Sequence, residues 1–243
     1  MASYSDDFER AALGGNWTVG AGTPQIYSSS DFGGGGAGVN YATYTAGTLA
    51  TQNQYAEMVF SVVADTPQGG ALWLRLDGSS NGYEAKFSSD YVEIFRLDAG
   101  VPTSIGTDNT VTIAASDVCR FECNGSTIRT LINGVENLSI TDANHTAGRS
   151  TGLSTSNTTA RIESWAAADL STATFTQEGY RWRNDDGDEA NATWTAAQDT
   201  GITAPANAVR RIRFIVDTAG DTNAALYQLE YKEANDANWT KVT

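Results

Sequence analysis

Lysine is nearly missing from this sequence: Lys86, Lys232 and Lys241 are the only three in 243 residues. With arginine the bases number 15 against 29 acids, a formal net charge of −14. The acidity is spread out, since residues 1–168 carry 17 acids and 8 bases and residues 173–243 carry 11 and 7. Nucleic-acid affinity comes from Lys and Arg releasing counterions from phosphates, and attraction to anionic lipid uses the same side chains. This balance works against both, so no nucleic acid and no membrane is expected among the partners. An acidic, lysine-poor exterior instead keeps many copies of a protein soluble before assembly.

Catalytic groups are scarce as well. The one histidine, His145, sits in DANHTAG, a loop-like stretch that reads as a solvated side chain rather than a base. Gly-x-Ser-x-Gly occurs twice, as GSSNG at 78–82 and GRSTG at 148–152, but neither leads into a run of helix formers as a nucleophile elbow does, so a serine-hydrolase triad has no support. GGGGAG at 33–38 lacks the Lys-Ser/Thr end of a phosphate loop. Without a nucleophile and a base to pair, no catalytic residue and no cofactor is expected, and the chain reads as a non-enzyme.

The only two cysteines, Cys119 and Cys123, fall in VCRFECNG. On a strand they share a face roughly 13 Å apart at about 3.3 Å per residue, beyond the roughly 7 Å that a disulfide spans. Phe121 shares that face, so the three read as core, in a chain folded in a reducing compartment. No apolar run approaches a membrane span. The opening MASYSDDFERAALGGNW has neither the basic nor the apolar region of a secretory signal.

Long strings of helix formers are missing too. What is present is Val, Ile, Thr, Tyr, Phe and Trp in short runs broken by Gly, Asn and Asp, the pattern of an all-β chain. After an opening strand within 1–20, anchored by Phe8 and Trp17, DFGGGGAG (31–38) reads as a flexible loop. Strands are expected at 55–64, 70–77, 82–88, 91–98, 110–115, 118–125, 127–134 and 161–167. Leu72, Leu74 and Leu76 alternate with Ala71, Trp73 and Arg75, and the pairs Asp77-Gly78, Asn81-Gly82, Asn124-Gly125 and Asn133-Gly134 suit tight turns. This spacing predicts an all-β sandwich of two antiparallel sheets over 1–168. A small-residue connector follows at 169–174, then a smaller immunoglobulin-like β domain over 175–243, with strands at 175–184, 191–198, 209–217, 225–232 and 239–243.

Two resemblances follow from particular residues. Asp7, Phe8, Arg10, Trp17, Asn81, Gly82, Tyr83, Asn133, Gly134, Gly152 and Trp165 stand where the concanavalin A-like jelly rolls, the laminin-G and galectin-like group, carry similar motifs. That resemblance implies either glycan binding by ring stacking, with Trp73, Arg75 and Tyr83 as candidates, or a plain core role for Trp73. It also implies calcium at the sandwich edge through Asp77 and Asn81, although both suffice as a turn. Glycosidases of this group carry a Glu-x-Asp-x-x-Glu order that no stretch here has.

The second resemblance is carried by GYRWRNDDGDEANATWTAAQDT, VRRIRFIVDTAGD and YQLEYKEANDANWTKV, which look like a module of virion proteins of tailed bacteriophages. It implies a structural protein on the virion surface, made in the host bacterial cytoplasm. Its partners would be major capsid or tail subunits, further copies of itself as a homo-oligomer, and, in the adsorption variant, a host surface glycan.

Within that module Arg181 and Arg183, with Arg211 and Arg213, form either a polar ladder with Glu230 or a docking interface. Asp185, Asp186 and Asp188 are the calcium candidates there, but Gly187 and Ala196 fall where an EF-hand loop needs different residues. The stretch reads as a hairpin turn.

Overall fold

The computed structural model describes residues 1–156, 158–170, 174–184, 186, 191, 193–203, 211–219, 230–231 and 240–241. It divides into two compact units, Met1–Leu170 and Ser171–Thr243. The first begins with β1 (Ser3–Asp6), β2 (Trp17–Ala21), β3 (Pro24–Tyr27), β4 (Asp31–Gly34), β5 (Asn40–Tyr44), β6 (Gln54–Val62), β7 (Gly70–Leu76) and β8 (Gly82–Ser88). It continues with β9 (Tyr91–Asp98), β10 (Val101–Asp108), β11 (Val118–Asn124), β12 (Thr127–Ile132), β13 (Val135–Thr141), β14 (Ser150–Thr155) and β15 (Arg161–Asp169). The described strands of the second unit are β16 (Thr174–Arg183), β17 (Arg211–Ala219), β18 (Glu230–Tyr231) and β19 (Thr240–Lys241). Among the described residues there is no helix.

The first unit is a sandwich of two antiparallel sheets. One runs β13-β12-β11-β6-β15-β4-β3, with β1 also pairing on β15, and the other runs β10-β9-β8-β7-β14-β5-β2. Strict alternation makes the inner faces: Gln54, Ala56, Met58 and Phe60 of β6 are buried, and the residues between them are half-exposed. Cys119, Phe121 and Cys123 share the inner face of β11 and are fully buried. At one end Phe8, Trp17, Phe32, Tyr44 and Trp165 pack together, with the Trp17 and Trp165 ring centroids 4.8 Å apart. Each such ring contributes about 1.5–3 kcal/mol of burial.

Three expectations change. The glycine run at 31–38 is not a loop throughout, because β4 pairs with both β3 and β15. Glycine serves there as room: a Cβ on Gly33 would lie 2.9 Å from Tyr27 and 3.0 Å from Arg161, whose guanidinium lies 3.4 Å from the centre of the Tyr27 ring. Residues 110–115 form no strand, because Asp108 accepts from the Thr110 N–H and Asp117 from the Ala114 N–H, taking donors that a ladder would use. The expected strand at 191–198 shows, in its described residues, one bridge between Arg183 and Trp194.

The connector also begins later than 169. Asp169 closes β15, and its carboxylate accepts from the N–H groups of Ala2, Ala50 and Thr51, while Leu170 is buried. In the second unit β16 and β17 form a two-stranded antiparallel sheet and β18 pairs with β19. The expected strand at 225–232 lies outside the described residues except for its last part in β18.

Candidate functional site

The outer face of the seven-stranded sheet gathers its side chains by register. Trp73 of β7 stands opposite Glu84 of β8, which stands opposite Phe95 of β9. In the next row Tyr41 of β5 faces Ser154 of β14, Ser154 faces Ala71, Ala71 faces Lys86, and Lys86 faces Glu93. Tyr41, Trp73, Glu84, Lys86, Glu93 and Phe95 are all half-buried.

Tyr41 and Trp73 form the centre, with ring centroids 4.5 Å apart and planes inclined by 36°. Two glycines make this possible. A Cβ on Gly20 of β2 would fall 2.4 Å from the Tyr41 ring, and one on Gly152 of β14 would fall 2.8 Å from it. The ring therefore lies across bare backbone on both sides instead of standing up from the sheet. Trp73 Nε1 donates to Ser154 Oγ at 3.1 Å, and Thr43 Oγ1 donates to Tyr41 Oη at 2.7 Å, so both rings are held in place.

Glu84 sits beside this pair between the side chains of Trp73 and Phe95. Burial pushes its carboxyl up to about 7; Lys86 works against that shift and Glu93 adds to it. Tyr41 is raised by burial too, with Glu84 contributing and the Thr43 hydroxyl opposing. Tyr91 Oη donates to Glu93. The arrangement offers a flat aromatic surface, a polar group that changes charge near neutrality, and small residues at Ala71, Gly152 and Ser154.

Of the three residues expected to form a sugar-stacking face, only Trp73 is on this one. Tyr83 pairs with Leu74, points into the sandwich and is fully buried. Its hydroxyl donates to Asp142 Oδ1 at 2.7 Å and accepts from the His145 N–H, and burial lifts the phenol well above its usual range. Arg75 is also fully buried, because the alternation breaks there: it has φ +52°, and the β7–β14 register shifts between Ser150 and Gly152. Its guanidinium donates to the carbonyls of Gln52, His145 and Gly125 at 2.7, 3.1 and 2.8 Å. Both are clamps of the inner end of the sandwich, with no surface to offer a sugar.

His145 is not solvated as its context implied. Its Nε2 lies 2.8 Å from Asp98 Oδ1, and its ring packs 5.7 Å from that of Tyr83. The edge candidates Asp77 and Asn81 fill a turn, with Asp77 Oδ1 accepting from the N–H groups of Ser79 and Asn81 and Asn81 Oδ1 accepting from Ala99 N–H. Asp186 accepts from the N–H and the hydroxyl of Thr193. Asp185 and Asp188 lie outside the described residues. Among the described residues no three His, Cys, Asp or Glu side chains gather as a metal site.

In the second unit the register sets Arg181 opposite Arg213 and Arg183 opposite Arg211. Arg183 is buried, whereas Arg211 and Arg213 are exposed. Arg181 and Arg213 both approach the ring of Trp194, at 4.6 and 5.6 Å from its centroid. The Glu230 side chain lies outside the described residues.

Tyr41 and Glu84 were missed from sequence. Glu84 had a signal in the alternation of GYEAKFS, which turns it to the opposite face from Tyr83, but nothing local to NYATY marks Tyr41 as a partner of Trp73.

No protein-family model and no curated protein matches the chain. Among solved structures it is similar to the carbohydrate binding module CBM66 from Bacillus subtilis, at 21% identity over 61% of this chain and 92% of that one, with a TM-score of 0.50. It is similar to the Ca2+/Man-bound exoplasmic/lumenal domain of VIP36, at 11% identity over 69% and 90% of the two chains and a TM-score of 0.53. It is also similar to a lichenase, a beta-1,3-1,4-glucanase derived from a mouse hindgut metagenome, at 9% identity over 70% and 99% and a TM-score of 0.52. The shared feature is the fold, a concanavalin A-like jelly-roll sandwich. A binding module and a glucanase both have it, so the fold by itself does not fix a function.

Proposed function

We propose that the first unit is a non-catalytic carbohydrate-binding module that holds a glycan on the outer face of its seven-stranded sheet. The observation that carries this is the Tyr41–Trp73 pair, two half-buried rings 4.5 Å apart, laid over Gly20 and Gly152 and fixed by Thr43 and Ser154. An aromatic ring with a polar margin suits the apolar face and hydroxyl rim of a pyranose. The solved neighbours that are a carbohydrate binding module and a Man-bound domain support the reading at the level of fold.

Screening the chain on a glycan array tests it. Trp73→Ala and Tyr41→Ala should each weaken retention on the glycan that binds by about tenfold, the scale of one lost stacking contact, with far-UV circular dichroism unchanged. Retention unaffected by either substitution overturns the reading. One observation favours a hydrolytic rival: Glu84, held near neutrality, has Glu93 as a neighbour, as an acid–base pair would. That rival requires release of reducing ends from the bound glycan, abolished in Glu84→Gln, and the binding reading requires none.

We also read the chain as a virion protein that displays this module, with the second unit docking on capsid or tail subunits. The support is the resemblance carried by residues 179–242, together with the surface position of Arg211 and Arg213 on β17. Saturable attachment to purified particles, lost on Arg211→Glu with Arg213→Glu, tests it.

A further inference from the structure

The strongest unassigned group on the molecule is the Glu84 carboxyl. It lies on the open face of a sheet, in a row where both cross-strand neighbours are aromatic, Trp73 on β7 and Phe95 on β9. Asp6, Asp142 and Asp169 of this unit show the contrast: Asp6 has Arg10 and Trp17 as donors, Asp142 has Tyr83, Arg96 and Asn144, and Asp169 has three N–H groups. Among the described residues Glu84 has no hydrogen-bond donor within the protein. It is an acceptor set into an aromatic surface and left with its hydrogen-bonding capacity unused.

We propose that Glu84 is the specificity-determining group of the glycan face: it accepts hydrogen bonds from hydroxyls of a neutral sugar stacked on Tyr41 and Trp73, and its ionisation gates binding with pH. This rests on the glycan-binding reading above. A carboxylate accepts from two adjacent hydroxyls with charge-assisted strength, while the protonated acid loses most of that capacity. The titration lies where it matters, since burial raises the group to about 7.

The charged and titratable neighbours are Lys86 on the same strand, Glu93 and Tyr91 on β9, and Tyr41 on β5. The residues of β7 and β14 facing it, Trp73, Ala71, Gly152 and Ser154, carry no charge. Two acids against one base make the face repel uronic and sialic acids, in a chain whose net charge is −14. The ligand class is therefore an uncharged hexose-containing glycan.

When only the ionised form is competent, apparent affinity scales with its fraction, so binding should be about tenfold or more weaker at pH 5.5 than at pH 8. The experiment uses the full chain on an array carrying neutral hexose oligosaccharides beside their uronic- and sialic-acid-bearing counterparts, read at both pH values, with Glu84→Gln in parallel. Support is retention on neutral glycans that strengthens toward pH 8, exclusion of the acidic ones at pH 8, and a flat pH profile in Glu84→Gln. Binding that is Trp73-dependent but equal at both pH values, or equal in Glu84→Gln, overturns the role of Glu84 and leaves the glycan-binding reading standing. No retention of any sugar by the folded chain at either pH overturns both.

Discussion

Asp6 shows how a single buried carboxylate ties the start of the chain together. It accepts from Arg10 at 2.6 Å on both oxygens, from Trp17 Nε1 at 2.6 Å and from the Phe8 N–H at 2.9 Å. Burial pushes its pKa up, but the bonds from Arg10, Trp17 and Phe8 outweigh that and hold it below the usual carboxylate range. A depressed folded value means the stability it contributes is present above the ordinary carboxylate pKa and is lost as pH falls through the folded one. Asp6→Asn should cost about 3 kcal/mol at pH 7, the scale of breaking a buried pair, and less than wild type's own loss would imply at low pH. Urea denaturation at pH 7 and pH 3 reads both.

Glu84 has the opposite sign. Its folded pKa is raised, so the fold favours its neutral form, and stability is lost as pH rises from the ordinary value of 4.5 toward about 7. Glu84→Gln should therefore stabilise the protein at pH 8 by on the order of 2 kcal/mol and have little effect at pH 4. A substitution that stabilises while removing ligand affinity is the expected mark of a group placed for binding. A melting temperature that does not rise at pH 8 would remove this account of the carboxyl.

At the scale of elements, β7 serves both faces of its sheet, with Trp73 outward and Leu72, Leu74 and Arg75 buried. Its first residues obey the period of two, with Leu72 and Leu74 inward and Trp73 outward, but the bulge at Arg75 turns a residue that the period sends outward into the sandwich. The guanidinium then joins three separate chain segments through the carbonyls of Gln52, Gly125 and His145. Arg75→Met keeps the stem and leaves those carbonyls without donors. It should cost about 2–4 kcal/mol, read as a lower urea midpoint with unchanged slope, while Arg75→Lys recovers only part of the loss.

The same strand shows what was legible beforehand. β8 and β9 match the expected spans because their ends are punctuated by Asn-Gly and Asp-containing turns, a local signal. β5, β13 and β14 were not foreseen, being short and polar enough to read as connections. Trp73 could be singled out from its own strand, whereas its pairing with Tyr41 depends on β14 lying between β5 and β7, a contact across more than one crossover that no local pattern encodes. Arg75 failed for a different reason: a bulge inverts alternation, and period-two reasoning assumes there is none.

At the scale of the whole molecule, the two compact units divide after Leu170. Among the described residues the buried hydrophobic core of the first unit runs from Phe8 to Ala167. Residues 1–170 alone should fold, give a single cooperative transition and retain the pH-dependent binding of the full chain. Calorimetry and the array check this together, and a fragment that stays unfolded would show that the division in contacts is not a division in stability.

One feature of that unit reaches beyond binding. β1 and β15 lie side by side, with Ser3 opposite Ala168 and the Ala2 N–H bonded to the Asp169 carboxylate at 2.6 Å. The two polypeptide exits are thus neighbours at a single spot, so the jelly roll is shaped like a bead hung from one point. Such a body can be spliced into a surface loop of another protein without stretching its host, or recut at Asn133-Gly134 with its old ends joined by a short bridge.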